Sequence, residues 1–304
     1  MIKQIPLMLC LALITQACTS QVPFDYPISY DLSKPDQTLL LEEKLNEISG
    51  IAFDPVSESI KGITDELGIL YSLNPTTGQI VQEDTFHKAG DYEDLSLIDT
   101  SIFILKSSGT LYHFENTQSI TNGDFTKFNT PLNTFNDVEG LGFDGANNRL
   151  LLACKGSAEL KQESIKEVDY RAIYAFNLEQ LQLDVDHPIF IRKEAFYTFI
   201  KEHPELPKAH KLLKRFEPQT KEFAFEPSAI AIQPSTGNMY ILSSVGKLLV
   251  VLDSSFNILT MVKLDKDNFI QPEGICFDKA ENLYICNESK DRQAIIYKFD
   301  RIKS

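Results

Sequence analysis

The 304-residue chain contains no tryptophan, four methionines and five cysteines. Beyond the first twenty residues, the cysteines are Cys154, Cys276 and Cys286, and they show no C-x-x-C spacing. An odd number of cysteines without that spacing argues against a disulfide framework and against a thiolate zinc site. Each of the three falls inside a predicted strand, so we expect them to be small, buried apolar residues.

Positive charge is also scarce. The chain has 29 lysines and arginines against 43 aspartates and glutamates, which gives a net charge of −14. Such a surplus of negative charge disfavours nucleic acid and anionic lipid surfaces as partners. The sequence therefore favours cations and positively charged ligands.

After the N-terminal segment, the chain has no apolar run that approaches the length needed to cross a bilayer. The first residues differ, because Lys3 precedes an apolar segment at 5–14 of signal-peptide length. This segment ends in Ala17-Cys18, which resembles the lipobox of bacterial lipoproteins, with Thr15 in place of the usual leucine.

The N-terminal pattern predicts a signal peptide at 1–17, a lipidated Cys18 and a tether at 18–27. The alternative is an ordinary secretory peptide cleaved after Ala17. Acylation would attach the protein to a membrane without a spanning helix. We therefore expect an exported protein, lipid-anchored to a membrane of the bacterial cell envelope.

One short sequence motif, called the phrase below, recurs five times along the chain. Each copy places one or two acidic residues just before a small residue and an alternating apolar run. The copies start at residues 47, 91, 137, 226 and 271, so three intervals are 44 to 46 residues and one is about twice as long. A phrase repeated at this scale indicates one supersecondary unit used several times.

Each copy continues through tight turns into further short apolar strands. In the fourth copy, strands are predicted at 229–232, 239–242, 247–252 and 257–264. Pro234 and Gly237 fall in the first turn and not in a strand interior. Four short strands in about 45 residues are typical of a β-propeller blade.

The last copy has room for three strands only. A propeller closes when the other terminus supplies the missing strand, which removes the open sheet edges. Residues 28–41 are the predicted donor segment. The sequence therefore predicts an all-β, five-bladed β-propeller over 28–304.

The long interval between the third and fourth copies contains additional structure. Residues 171–176 and 188–192 are predicted to be the outer strands of the third blade. Residues 194–216 carry helix-forming residues, with Pro204 and Pro207 as breakers. This pattern favours a short helical insertion near 194–216, and the alternative is a sixth, degenerate blade.

Equivalent positions of the five phrases should form rings around one end of the central channel, because each phrase opens the innermost strand of its blade. The position three before the small residue holds Glu47, Asp91, Asp137, Glu226 and Gln271, and the position one before it holds Ser49, Glu93, Glu139, Ser228 and Glu273. Carboxylates that converge in this way repel and desolvate one another, so they require protons or a cation.

The ends of the second strands should reach the same channel mouth. Their aligned positions hold Asp65, Ser107, Lys155, Ser244 and Glu288. Lys155, together with Lys106 one position earlier in its own blade, is a candidate counter-ion for the acidic ring. The five histidines fall outside these columns, and oxygen donors without histidine suit Ca²⁺ or Mg²⁺ better than zinc.

The predicted cation ligands are Asp91, Glu93, Asp137 and Glu139, which belong to adjacent blades. Other residues expected at the mouth are Glu47, Asp65, Glu226, Glu273, Glu288, Lys106 and Lys155. A structural alternative applies to each acid singly, because a carboxylate at this place can accept backbone hydrogen bonds from the neighbouring blade.

The repeated phrases resemble those of the SdiA-regulated family of bacterial envelope proteins and, more distantly, those of phytase-like esterase propellers. The matching segments are Glu47-Ile48-Ser49-Gly50, Gly90-Asp91-Tyr92-Glu93-Asp94, Asp137-Val138-Glu139-Gly140, Glu226-Pro227-Ser228-Ala229 and Gln271-Pro272-Glu273-Gly274. The resemblance runs from about residue 35 to the C-terminus and implies a propeller in the cell envelope, without specifying a reaction. Asp94 stands where the family usually has glycine.

Two functions are compatible with these features. The first is a non-enzymatic binding or scaffold propeller whose mouth takes a small molecule or an envelope component. Its distinguishing surface would be the insertion, where the basic segment 208–215 also has the simpler interpretation of a solvated helix face. The alternative is a metal-dependent hydrolase of esters, lactones or phosphoesters, with Asp65 as base and Lys155 as electrostatic partner.

Overall fold

The repeated phrase of the sequence forms the inner strand of five four-stranded antiparallel sheets in the computed structural model, which describes residues 28–160, 169–289 and 292–302. Blade one contains β2 (Ile48–Asp54), β3 (Ser59–Thr64), β4 (Ile69–Leu73) and β5 (Ile80–Thr85). Blade two contains β6 (Tyr92–Ile98), β7 (Ser101–Lys106), β8 (Leu111–Phe114) and β9 (Thr126–Phe128).

The other three blades repeat this order from the inside outwards. Blade three contains β10 (Val138–Asp144), β11 (Arg149–Cys154), β12 (Tyr170–Asn177) and β13 (Gln182–Arg192). Blade four contains β14 (Glu226–Ile232), β15 (Met239–Val245), β16 (Leu248–Leu252) and β17 (Ile258–Lys263). Blade five contains β18 (Pro272–Phe277), β19 (Leu283–Asn287), β20 (Ile295–Phe299) and β1 (Gln37–Leu40).

The inner strands form a closed ring, because β2, β6, β10, β14 and β18 each contact the next and β18 contacts β2. Each of the five interfaces between neighbouring blades holds one cluster of buried apolar side chains. The alternation of each strand supplies one apolar row to each face of its sheet. The five-bladed β-propeller predicted from the repeats is confirmed.

The N-terminal segment closes the ring. Strand β1 pairs antiparallel with β20, with Leu39 opposite Ile296. Leu39 is 1% exposed and packs between blades five and one, whereas Leu40 on the other face is 55% exposed. The prediction that residues 28–41 supply the missing strand is therefore confirmed.

The long third interval contains two helices, α2 (Lys193–Glu202) and α3 (Ala209–Arg215). Phe196 of α2, and Leu212 and Phe216 in and after α3, pack on the apolar cluster between blades three and four. The helical insertion is confirmed, and the alternative of a sixth blade is wrong. The three cysteines are buried, as expected.

The structure contains a third helix that was not predicted from the sequence. Helix α1 (Thr117–Asn122) lies between β8 and β9. Asn116 caps its start by accepting a hydrogen bond from the Ser119 backbone, and Gly123 ends it with a φ of 74°. These are recognised cap signals, but the helix is only two turns long. In the described part of the chain, no helix is long and apolar enough to span a membrane.

Candidate functional site at the channel mouth

Every inner strand begins with a β-bulge at the same position of the repeat. The register of each inner strand skips one residue just before the small residue of its phrase. The skipped residues are Ser49, Glu93, Glu139, Ser228 and Glu273. A bulge takes a residue out of the ladder and redirects its side chain, and bulges are common beside functional sites.

The two bulged serines join neighbouring blades. The Ser49 hydroxyl donates a hydrogen bond of 3.0 Å to the Tyr92 carbonyl oxygen in blade two. The Ser228 hydroxyl donates one of 2.9 Å to the Pro272 carbonyl oxygen in blade five. The bulge position thus has a structural role where it holds serine.

Of the three bulged glutamates, Glu139 is the most enclosed. Its residue is 9% exposed, and Oε1 accepts a hydrogen bond from the ammonium of Lys155. The other oxygen, Oε2, is buried and has no hydrogen-bond partner among the described residues. Burial, followed by the charge of Glu273, raises the pKa of Glu139 well above its ordinary value, although Lys155 opposes the shift.

The pKa values of Glu93 and Glu273 are raised in the same way. Burial, followed by the charges of Asp91 and Asp137, raises the pKa of Glu93 to about 8. Burial also raises the pKa of Glu273, and in both groups Lys155 acts in the opposite direction. All three bulged glutamates therefore lie within electrostatic reach of one ammonium.

Lys155 is the counter-ion predicted from the aligned positions at the ends of the second strands. Burial disfavours its charge, but the charges of Glu139 and Glu273 raise its pKa overall. Lys106 lies elsewhere, with its Nζ 5.4 Å from the centre of the Tyr92 ring. The two lysines that the sequence treats alike therefore have different surroundings.

The blade-one and blade-five side of the mouth is also acidic. Burial, followed by the charges of Glu47 and Glu288, raises the pKa of Asp65 to about 6. Its Oδ1 is buried and has no hydrogen-bond partner in the described ranges. Glu288 accepts a hydrogen bond from the Gln271 side chain across the mouth of its own blade.

The other predicted residues lie at the starts of the inner strands. Asp91 accepts a hydrogen bond from the Ser107 hydroxyl. Asp137 has a left-handed backbone with a φ of 47°, and its carbonyl oxygen accepts from the Lys155 backbone at 2.8 Å. The Glu226 backbone donates to the Ser243 hydroxyl oxygen at 2.8 Å. Among the residues described, no group of three or more His, Cys, Asp or Glu is arranged to hold a metal ion.

Asp94 is a structural acid that was not predicted as such. It is 3% exposed, and its two oxygens accept hydrogen bonds from the backbones of Leu95 at 2.8 Å and Leu141 of blade three at 2.7 Å. A Cβ on Gly50 of blade one would lie 2.6 Å from its Oδ1. The acid thus connects blades two and three and packs against blade one. The only signal in the sequence was its place at a position that glycine or alanine fills in the other phrases.

A family model described as SdiA-regulated matches residues 35–299. No curated protein sequence matches the chain.

The solved structures that resemble the chain are distant in sequence. A glutaminyl cyclase from Myxococcus xanthus is 10% identical, with 88% of this chain and 94% of that chain covered and a TM-score of 0.52. Regucalcin from Agrobacterium tumefaciens, described as a calcium-binding protein, is 13% identical, with 90% and 94% covered and a TM-score of 0.47. A luciferin-regenerating enzyme is 9% identical, with 87% and 95% covered and a TM-score of 0.47. Likeness at this level of identity concerns the fold alone.

Proposed function

Since the chain belongs to the SdiA-regulated family, whose model matches residues 35–299, we propose that it is a binding propeller of the cell envelope that takes a cation at its channel mouth. The observation that carries the proposal is the buried ion pair of Glu139 with Lys155, whose positive charge also acts on the bulged Glu93 and Glu273.

The charge balance at the mouth supports a cationic ligand. Buried carboxyls with raised pKa values either keep their protons or exchange them for another positive charge. Lys155 supplies one such charge, while the Oε2 of Glu139 has no hydrogen-bond partner in the described part of the chain. A bound cation would satisfy this oxygen and neutralise its neighbours.

The chemistry of the oxygen donors suits a hard divalent cation, and because no three of the described acids are already arranged around a metal position, an ion must draw the carboxylates together. Carboxylate and backbone carbonyl oxygens are the ligands that Ca²⁺ prefers, and Mg²⁺ also binds through carboxylates and water. Asp91, Glu93, Asp137 and Glu139, on adjacent blades two and three, would hold the ion. An organic ligand with a positively charged group could meet the same carboxylates.

Calorimetric titration with Ca²⁺ and Mg²⁺ tests this proposal. We expect the parent protein to bind at least one of the two ions, and the double variant Glu93→Gln with Glu139→Gln to lose binding by tenfold or more. Glu43→Gln, which changes an exposed glutamate outside the proposed ligand set, is the matched control and should bind like the parent. Equal binding by the double variant would place the ion elsewhere.

The location in the envelope depends on the N-terminus. Cys18 and the predicted signal peptide and tether lie outside the described residues. We propose that Cys18 is acylated and holds the propeller at a membrane, since two acyl chains or more give stable anchoring. Cys18→Ala should move the protein from the membrane fraction to the soluble fraction, as measured by fractionation and immunoblotting. Unchanged membrane association would contradict the anchor.

A hydrolase is the second candidate, because the mouth contains carboxyl groups suited to proton transfer. The pKa of Asp65 is raised to about 6 and that of Glu93 to about 8, on either side of neutral pH. General acid–base catalysis is most effective with pKa values in this range. Assays of esters, lactones and phosphoesters with and without Ca²⁺ would support this candidate if hydrolysis is lost in Asp65→Asn, and would exclude it for those substrates if the parent is inactive.

A further inference from the structure

Four positive charges come together in a basic cluster beside the acidic mouth, because the apolar face of α3 packs in the apolar cluster that also contains side chains of β16 and β17. Lys208 precedes α3 and Arg215 is its last residue, while Lys247 lies in the turn between β15 and β16 and Lys263 ends β17. The backbone of Leu264 donates a hydrogen bond of 2.9 Å to the Lys247 carbonyl oxygen, which holds the two strands together here. The sequence showed only the basic segment 208–215, and the fold adds the two lysines of blade four.

The two blade lysines are held in place by the backbone. The ammonium of Lys247 donates a hydrogen bond of 2.9 Å to the Ser244 carbonyl oxygen, and that of Lys263 donates to the Gly246 carbonyl oxygen. Both side chains are half-buried, whereas Lys208 and Arg215 are exposed. Each ammonium has three donors, so two on each lysine remain available to a ligand.

Within the described residues, none of these four cations forms a salt bridge with a carboxylate. Burial, followed by the charges of Arg215, Lys208 and Lys247, lowers the pKa of Lys263 to about 8, and Asp265 opposes this shift. The four like charges therefore repel one another, and Glu273 and Asp265 offset part of this repulsion.

We propose that Lys208, Arg215, Lys247 and Lys263 form a binding site for a phosphate monoester group. Such a group carries about −1.5 to −2 charges near neutral pH and three acceptor oxygens. The arginine fork can bind two of these oxygens at once, and lysines act as compact point charges on phosphate. A dianion thus offsets more of the repulsion than a carboxylate can.

The site borders the mouth but does not depend on it. Lys247 lies within electrostatic reach of both Glu273 at the mouth and Arg215 in the cluster. A ligand with a phosphate group could therefore bind here while its remainder extends over the channel. Binding of phosphate alone requires none of the mouth carboxylates, so this inference can succeed or fail separately from the cation site.

Titration with inorganic phosphate in chelator-treated buffer, at constant ionic strength against chloride, tests the site. We expect the parent to bind phosphate, and Arg215→Gln and Lys263→Gln each to bind at least tenfold more weakly. Lys214→Gln removes one charge from the same helix at an exposed position outside the cluster, and it should bind like the parent. Lys263→Arg should retain binding.

The phosphate group could come from a soluble ligand or from a lipid headgroup. Vesicles of phosphatidylcholine with and without phosphatidic acid separate these sources. Binding of inorganic phosphate with the expected variant pattern supports a soluble source, and the same pattern seen only with phosphatidic acid vesicles supports a headgroup. If neither probe binds, or if Lys214→Gln weakens binding as much as Arg215→Gln, the site is disproved.

Discussion

Leu39→Asp is expected to destabilise the propeller by roughly 3–5 kcal/mol, because it removes a buried side chain and places a charge in an apolar interface. Leu39 is 1% exposed between blades five and one. The neighbouring variant, Leu40→Asp, changes a side chain that is 55% exposed on the same strand. It should alter stability by no more than about 0.5 kcal/mol.

Melting curves and chemical denaturation measure this difference. In a domain of this size, 1 kcal/mol corresponds to a shift in Tm of about 2–4 °C. Deletion of residues 21–42, which removes β1 entirely, should have a still larger effect because it opens the edge of blade five. A truncated protein that melts like the parent would show that closure by the N-terminal strand is not needed for stability.

The second large effect concerns pH. Glu93 has a pKa of about 8 in the fold, against an ordinary value of 4.5. Between these values the unfolded chain loses the proton while the folded protein keeps it, so stability falls as pH rises from about 5 to about 8. Each unit of pKa shift corresponds to about 1.4 kcal/mol. In chelator-treated buffer, the Tm of the parent should therefore fall by roughly 7–14 °C over this range.

Glu93→Gln should remove much of this slope. The variant should melt like the parent near pH 5, where Glu93 is protonated in the fold, and at a higher temperature near pH 8. Part of the slope should remain because the pKa of Asp65 is also raised, to about 6. Glu43→Gln, at an exposed position, is the control. A parallel pH dependence in Glu93→Gln and the parent would mean that this carboxyl is not strained by its neighbours.

The fold could be predicted from the sequence because the repeat is explicit. Each phrase opens an apolar run of strand length, and a final blade with three strands requires a donor from elsewhere in the chain. The insertion was also predictable, since Pro204 and Pro207 interrupt residues that favour helix. Local composition was sufficient for these features.

The site was predictable in composition but not in geometry. A bulge depends on how one strand pairs with the next, which a single segment does not specify. The phrases that contain Ser49 and Glu93 show the same pattern, although Ser49 joins two blades and Glu93 belongs to the acidic mouth. Asp94 likewise was not predicted to connect blades, because its acceptor role requires the backbone of Leu141 from another repeat. The basic cluster depends on how the insertion packs on blade four, which no single segment encodes.

The measurement that tests the cation site most directly is the melting temperature of the protein in millimolar Ca²⁺ or Mg²⁺. An ion that binds only the folded state stabilises it by about 2.7 kcal/mol at a hundredfold excess over Kd. The parent should gain several degrees in Tm near pH 8, and the double variant Glu93→Gln with Glu139→Gln should gain none. If neither ion shifts the melting curve of the parent, or if the double variant gains as much, the acidic mouth does not bind a divalent cation.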